Sequence, residues 1–190
     1  MTYPKTTDAD LKQNVQAAVE DRSNARSNVD SLRGREFSSG ALFEDVAIDE
    51  EVNAIIELPA DAECFSFVNG RFTTGGKTRV QKIDSVTKDA AGTVQNINNR
   101  LISGDGDSCA TVESSVTASG GDEWTPKIIG GSGGVGSNIT LSSGEANGAA
   151  IIIQPGENVY FTATNVSADV EDITIDIDWT EIPLEEVPEL

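Results

Sequence analysis

A glycine-rich run at residues 131–136, GSGGVG, has the G-x-G-x-x-G spacing of a nucleotide-binding turn. In such a site the chain must enter a helix directly after the glycines, because the helix N-terminus holds the phosphates. Residues 137–142, SNITLS, instead alternate between polar and apolar side chains, as a strand does. We therefore interpret the run as an exposed loop and predict no cofactor and no cofactor-binding residue.

Carboxylates occur at two places with a spacing that could serve a metal ion or acid–base chemistry. Residues 105–108, DGDS, begin like a calcium loop, but the later ligands and the closing Glu of an EF-hand are missing. Asp176 and Asp178 share one face of a strand, as some glycosidase carboxylates do. In a chain with 32 acidic residues, neighbouring aspartates are also expected by chance. The sequence predicts no metal ligand and no catalytic residue.

The remaining reactive side chains are few. The chain has no His, and its two Cys residues, Cys64 and Cys109, lie far apart without a C-x-x-C spacing. Free Cys behaves as a small hydrophobe, so both are predicted to be buried thiols, with a disulfide between them as the alternative. Sequons at Asn138 and Asn165 indicate surface loops. We predict that the chain is not an enzyme.

The last part of the chain has the most regular pattern. From residue 173 to residue 180 apolar and polar side chains alternate strictly, which predicts a strand with one buried and one solvated face. Residues 159–164 alternate in the same way, and residues 151–153 suit a buried strand before the turn at Pro155-Gly156. Three consecutive antiparallel strands are thus predicted to close the chain. The predicted core residues of the closing strand are Ile173, Ile175, Ile177 and Trp179.

Upstream of these strands the chain consists of short strand patterns separated by turn residues. The candidate strands are residues 41–48, 52–58, 63–73, 78–86, 108–116 and 124–129. Gly70 is predicted to mark a bulge or bend, and Gly75-Gly76 a hairpin turn. About eight or nine strands at this spacing are typical of sandwiches and jelly rolls. The predicted fold is mainly β, an antiparallel β-sandwich or jelly roll over residues 36–182, followed by an acidic tail at residues 183–190.

Residues 1–35 are predicted to form one α-helix that precedes the sheets, with Thr7 as N-cap and Gly34 at the C-terminal end. Seven residues spaced alternately four and three apart form a narrow heptad seam. They are Leu11, Val15, Ala18, Arg22, Ala25, Val29 and Leu32. Because the other faces are very polar, we predict that this helix drives homo-oligomerisation. The alternative is an amphipathic helix that lies on the domain's own sheet.

The charge of the chain limits its partners. With 13 basic and 32 acidic residues the formal charge is -19, so nucleic acid and anionic membranes are predicted to repel it. The regular strands argue against disorder, and the acidic composition therefore indicates a protein of a halophile. The chain has neither an apolar run of about 18 residues nor a signal-peptide pattern. We expect a chain that is made in the cytoplasm without membrane insertion.

Four short elements together resemble the jelly-roll domains of projecting virion proteins in head-tailed viruses. These proteins are capsid turrets, head fibres, and tail-fibre or baseplate subunits. The elements are residues 39–43 (SGALF), residues 96–100 (NINNR), residues 155–160 (PGENVY), and Trp179 with Glu181 at the end of the last strand. The resemblance spans residues 36–181, whereas the loop at residues 130–136 and the tail after Glu181 do not belong to it.

This resemblance implies a non-enzymatic structural subunit that is located in the virion and projects from the capsid or the tail. The N-terminal helix would be the stalk of a trimer or a pentamer, in contact with other virion proteins. The jelly roll would touch a glycan or protein of the host surface, and the acidic composition would point to a virus of haloarchaea. The alternative is a cell-surface adhesin or carbohydrate-binding module of a halophile, against which the missing export signal argues.

Overall fold

The computed structural model describes residues 35–99, 107–130, 137–141 and 151–184. The predicted N-terminal helix with its seam, the glycine-rich run and the end of the acidic tail lie outside the described residues. Regular structure within the described residues consists of fifteen β-strands. They are β1 (Glu36–Val46), β2 (Glu51–Glu57), β3 (Cys64–Thr74), β4 (Thr78–Asp84), β5 (Thr87–Ala90), β6 (Thr93–Val94), β7 (Asn98–Asn99), β8 (Thr111–Ser114), β9 (Thr117–Ser119), β10 (Asp122–Glu123), β11 (Lys127–Ile129), β12 (Ser137–Leu141), β13 (Ile151–Ile153), β14 (Asn158–Asn165) and β15 (Glu171–Pro183).

The strands form two large antiparallel sheets and one small one. The first sheet has the order β12-β3-β15-β1-β7, with β13 also paired to β3. The second has the order β10-β4-β14-β2-β8-β6, with β11 also paired to β4, and β5 pairs with β9 apart from both. The prediction of a mainly β, antiparallel fold is therefore confirmed, and the two sheets are consistent with a β-sandwich.

The closing strand shows why these residues form strands. In β15 the side chains of Ile173, Ile175, Ile177 and Trp179 are at most 2% exposed, and each residue between them is only partly buried. An alternation of this kind places one face of a strand on the core and the other toward solvent. β15 lies between β1 and β3 and pairs with both over most of its length.

The main core lies between the two large sheets. It joins side chains of the first sheet, such as Val68 and Trp179, to side chains of the second, such as Ile56 and Val159. The ring of Phe72 in β3 meets the ring of Phe161 in β14 edge-on, with a centroid distance of 6.2 Å. Aromatic pairs favour this geometry, so the contact fixes the position of one sheet on the other.

Two predictions about strand pairing are wrong, because successive strands alternate between the sheets. Gly75-Gly76 does not close a hairpin, since β3 pairs within the first sheet and β4 pairs within the second. The three closing strands likewise alternate, with β13 and β15 in the first sheet and β14 in the second. Because the chain crosses from one sheet to the other, the strands before and after each connection both place apolar side chains in the same core.

Gly70 does not mark a bulge. It lies within the continuous register of β3, opposite Ile177 in β15. A Cβ atom at Gly70 would lie 2.8 Å from Cδ1 of Phe161 and closer still to Cε1. A glycine is needed here because the aromatic ring of the second sheet packs directly on the backbone of the first.

A smaller apolar cluster covers part of the outer face of the second sheet. It consists of Ile55 and Tyr160 from the sheet together with Val86 and Val116 from the chain between β4 and β10. Burial raises the pKa of Tyr160 to about 12. Described residues between β4 and β10 therefore cover part of this face, whereas β6 and β8 of the same stretch extend the second sheet beyond β2.

The outer face of the first sheet carries both charged and apolar side chains. Arg71 lies 3.5 Å from a carboxylate oxygen of Asp176 and 3.6 Å from one of Asp178. Phe65 and Phe67 alternate with core-facing residues of β3 and so point to this outer face, yet they are only 1% and 5% exposed. This face is therefore not uniformly solvated.

The ring contact at Gly70 generates a prediction. Gly70→Ala should lower the free energy of unfolding by about 1–3 kcal/mol, because the methyl group overpacks a closed core. Gly40→Ala is the matched control, since a Cβ atom there would meet only a carboxylate oxygen of the partly exposed Asp176 side chain, at 2.7 Å. Denaturant unfolding in molar salt measures both variants. Equal stability of the two would contradict the described contact between the sheets.

Candidate functional site

Two thiols and one carboxylate meet where the start of β3 lies beside the end of β15. Cys64 begins β3, Glu181 lies near the end of β15, and Cys109 precedes β8. The two Sγ atoms and a carboxylate oxygen of Glu181 all lie within 4.8 Å of one another. We call these three residues the thiol–carboxylate cluster. Thiolates and carboxylates are both ligands for metal ions, so these are residues that could hold one.

The register of β15 explains why a carboxylate is buried in this cluster. Glu181 follows Trp179 by two positions and therefore points to the same inner face, opposite Ser66 of β3. Its side chain is only 6% exposed. Because a buried charge is costly unless it is hydrogen-bonded, donors are required around it.

Four groups donate hydrogen bonds to Oε1 of Glu181. The hydroxyl of Ser108 donates at 2.5 Å, the indole Nε1 of Trp179 at 3.0 Å, and the backbone N–H of Ala110 at 3.2 Å. The backbone N–H of Cys109 is shared between the two oxygens, at 3.0 Å from Oε1 and 3.1 Å from Oε2. The donors thus converge on Oε1 and leave most of the acceptor capacity of Oε2 unused.

Both cysteines of the cluster are free thiols. Burial raises the pKa of Cys64 well above its ordinary value, and its hydrogen bond with Cys109 and the charge of Glu181 raise that pKa further. Burial is also the main reason why the pKa of Cys109 is raised. Without a bound ion, the two thiols are therefore protonated at neutral pH.

A second polar cluster lies on the outer face of the second sheet. Nζ of Lys88 is 2.7 Å from Oε2 of Glu57 and 3.0 Å from Oε1 of Glu113. The backbone N–H of Gly92 donates to Oε2 of Glu113 at 2.8 Å. This hydrogen bond from Gly92, followed by the contact with Lys88, lowers the pKa of Glu113. The hydrogen bond with Glu57 is the largest cause of the raised pKa of Lys88.

A third cluster joins a buried ammonium group to an aromatic ring. Nζ of Lys82 lies 3.0 Å from Oδ2 of Asp84 and 3.5 Å from the centroid of the Trp124 ring. The indole Nε1 of Trp124 donates to the same Asp84 oxygen at 2.6 Å. Burial lowers the pKa of Lys82, and Asp84 partly opposes this shift. The cation–π contact compensates for part of the lost hydration of the ammonium group.

Other residues noted in the sequence have different surroundings. Asp176 and Asp178 both face Arg71, as described above, and so form a surface ion-pair group. Asn165 is completely buried, and its side-chain Nδ2 donates to the backbone oxygens of Val46 and Asp169. The expectation that the sequon at Asn165 marks a surface loop is therefore wrong. Asn138 lies in β12 rather than in a loop.

The thiol–carboxylate cluster could not be predicted from the sequence. Its two cysteines are 45 positions apart in the chain, and only the pairing of strands makes them neighbours. One signal was available for the third member. The alternation that placed Trp179 in the core, continued by two residues, places Glu181 on the same face.

Comparison with known proteins indicates no function, so the geometry of the described residues is the main guide to it. No family model matches the chain, and no curated protein matches it. Among the residues that the structure describes, no helix is both long enough and apolar enough to cross a membrane.

The cluster around Lys88 predicts a pH effect. Because the pKa of Glu113 is lowered in the folded state, its contribution to stability is present above the ordinary glutamate pKa of about 4.3 and is lost as the pH falls through the folded value. Glu113→Gln should cost about 1–2 kcal/mol at pH 7, and the difference from wild type should shrink below pH ~4.

Thermal unfolding between pH 3 and pH 8 measures this effect, with Glu44→Gln at an exposed position as the control for the change in net charge. A stability difference at Glu113 that is the same at both ends of the pH range would refute the assigned ionic contact.

Proposed function

We propose that this chain is a non-enzymatic structural protein of a head-tailed virion. In this proposal it is a homo-oligomeric jelly-roll subunit that projects from the particle, as a capsid turret or decoration or as part of a tail fibre or baseplate. Its location is the virion, its partners are copies of itself and other virion proteins, and its outer end contacts the host surface. The observation that carries the proposal is the order of the strands in the two sheets.

The strand order supports a jelly roll as follows. In the first sheet β1, β15 and β3 are neighbours, with β12 and β13 beyond β3; in the second, β2, β14 and β4 are neighbours, with β10 and β11 beyond β4. The chain crosses between the sheets at six of the nine connections of these strands. A jelly roll winds about eight strands into two sheets in this way, and the arrangement recurs in viral capsid domains. On this reading β5 to β9 are an insertion.

The start of the described chain supports the role proposed for the N-terminal segment. The backbone oxygen of Arg35 accepts a hydrogen bond from the N–H of Glu181 at 3.0 Å, so residues 1–34 join the domain at one defined end of β15. A helix with the seam from Leu11 to Leu32 would there hold several copies together and attach them to the particle. Three-fold and five-fold symmetry both suit a seam of this kind.

The placement of charge supports a haloarchaeal host. The chain carries -19 formal charges, and the buried carboxylates of Glu113 and Glu181 each have their own donors. Dense surface carboxylates keep a protein soluble at high salt, where their mutual repulsion is screened. We therefore place the protein in a virus of haloarchaea that assembles in the cytoplasm of its host.

A cell-surface adhesin or carbohydrate-binding module of a halophile is the second candidate. Jelly rolls also occur in lectins, and the ring of Trp124 is 39% exposed, which would allow a sugar to stack on it. Immunogold electron microscopy separates the two candidates. An antibody against the recombinant protein should label particles in lysates of infected haloarchaeal cells. Label confined to the envelope of cells that carry no virus would overturn the virion proposal in favour of the adhesin.

The proposed oligomer leads to a separate prediction about the heptad seam. Val15→Glu places a charge in the seam, because Val15 is one of its apolar positions, and should convert the oligomer to monomers. Gln13→Glu adds the same charge on a polar face and should leave the oligomer intact. Light scattering after size exclusion in molar salt measures both variants.

A different result would favour the alternative, in which the N-terminal helix lies on the domain's own sheet. The wild-type chain would then be a monomer, and Val15→Glu would lower its free energy of unfolding. Phe65 and Phe67, buried on the outer face of the first sheet, are the surface on which such a helix would lie.

A further inference from the structure

We propose that the thiol–carboxylate cluster is a binding site for a thiophilic divalent cation of the Zn²⁺ type. Its protein ligands are Sγ of Cys64, Sγ of Cys109 and Oε2 of Glu181, with a water molecule or the Ser66 hydroxyl in the fourth position. The inference does not depend on the proposed function, since it rests on side chains within a single domain.

The distances suit a tetrahedral site. With Zn–S bonds of about 2.3 Å and Zn–O bonds of about 2.0 Å, the ligand atoms of such a site are about 3.5–3.8 Å apart. The two Sγ atoms and one carboxylate oxygen of Glu181 already lie within 4.8 Å of one another. They therefore need to approach by about 1.0–1.3 Å at most, which small side-chain rotations can supply. Two sulfur ligands select a soft cation over Mg²⁺ or Ca²⁺.

The electrostatics of the cluster favour a cation. Glu181 is a buried carboxylate whose hydrogen-bond donors are all neutral. The ion pairs that Arg71, Lys82 and Lys88 form lie elsewhere in the domain and do not include Glu181. A divalent ion bound here would place positive charge directly beside this carboxylate and would take the place of the two thiol protons.

Ser66 provides an independent indication of a ligand. It lies on the inner face of β3 between Cys64 and Val68, opposite Glu181, and is 0% exposed. Its hydroxyl is close enough to Cys64 to lower the pKa of that thiol slightly, but it has no hydrogen-bond partner of acceptable geometry. A buried hydroxyl without a partner is costly. A metal ion at this site, or a water molecule bound to the ion, would give the Ser66 hydroxyl the partner that it lacks.

The donors around Glu181 orient the carboxylate for this role. Ser108, Trp179 and Ala110 all donate to Oε1 and so fix the plane of the carboxylate. Ligating carboxylates in metal sites are held by hydrogen bonds of this kind, which set the direction of the free lone pairs. The remaining oxygen, Oε2, keeps its acceptor capacity for the ion.

The binding step balances in charge. Both thiols are protonated without the ion, and each loses its proton when its sulfur coordinates, so about two protons are released for each ion bound. The ion brings two positive charges and the two released protons remove two, so the net charge of the cluster stays the same. The affinity should consequently rise with pH, because fewer protons then compete with the ion for the two sulfur atoms.

The probe is Co²⁺ added to the reduced full-length chain in molar KCl, because Co²⁺ bound to thiolate absorbs by charge transfer and Co²⁺ bound to surface carboxylates does not. We expect this absorption to saturate at one ion per chain, to be displaced by Zn²⁺, and to strengthen with pH as stated. Cys64→Ala and Cys109→Ala should each reduce the affinity at least about 10-fold. Asp178→Asn, a carboxylate of the outer face, should leave the affinity unchanged.

Two further measurements keep the test decisive. Near-ultraviolet circular dichroism of each Cys→Ala variant shows whether the variant is folded, and the wild-type titration stands even where a variant is not. Absence of the charge-transfer band in folded wild type, or a band that persists in both folded variants, overturns the site. Loss of both free thiols on exposure to a small-molecule disulfide, with no uptake of Co²⁺ by the reduced chain, also overturns it and assigns the pair to disulfide exchange instead.

Discussion

One apolar interface between two sheets holds this domain together, although the whole chain carries a formal net charge of -19. The edge-on contact of Phe72 with Phe161 lies in that interface, and Gly70 leaves the room for it. Burial of apolar side chains is the main attractive contribution to folding, whereas like charges on the outer faces oppose the compact state. This opposition explains why the charged groups buried in the domain, Lys82, Glu113 and Glu181, are paired or hydrogen-bonded.

Carboxylates on the outer faces remain near water, and those that are buried have dedicated partners. Glu113 is held by Gly92 and Lys88, while Glu181 receives hydrogen bonds from an indole, a hydroxyl and two backbone amides. Buried charge is tolerated only with such compensation. The two environments differ in one respect that matters for function. Glu113 has a cation beside it, whereas Glu181 has two thiols, which makes the second cluster the candidate for an added ion.

The sequence predicted local structure better than it predicted which strands pair. Strict alternation at residues 173–180 identified β15, because the side-chain period of a strand can be read directly from the sequence. The hairpin at Gly75-Gly76 was wrong because the choice between pairing and crossing depends on distant strands. Cys64, Cys109 and Glu181 meet only through that pairing, so their proximity could not be read from spacing. The burial of Asn165 was missed because a sequon describes only three neighbouring residues. The contact that buries this side chain is a hydrogen bond to the backbone oxygen of Val46, far away in the sequence.

The free energy of unfolding measured as a function of salt tests most directly the claim that an apolar interface works against surface repulsion. The Debye length is about 3 Å at 1 M salt and about 10 Å at 0.1 M, so dilution restores repulsion between neighbouring carboxylates. The account predicts that the full-length chain becomes steadily less stable as KCl is lowered from several molar to 0.1 M. A free energy of unfolding that is unchanged, or higher, at 0.1 M would contradict it.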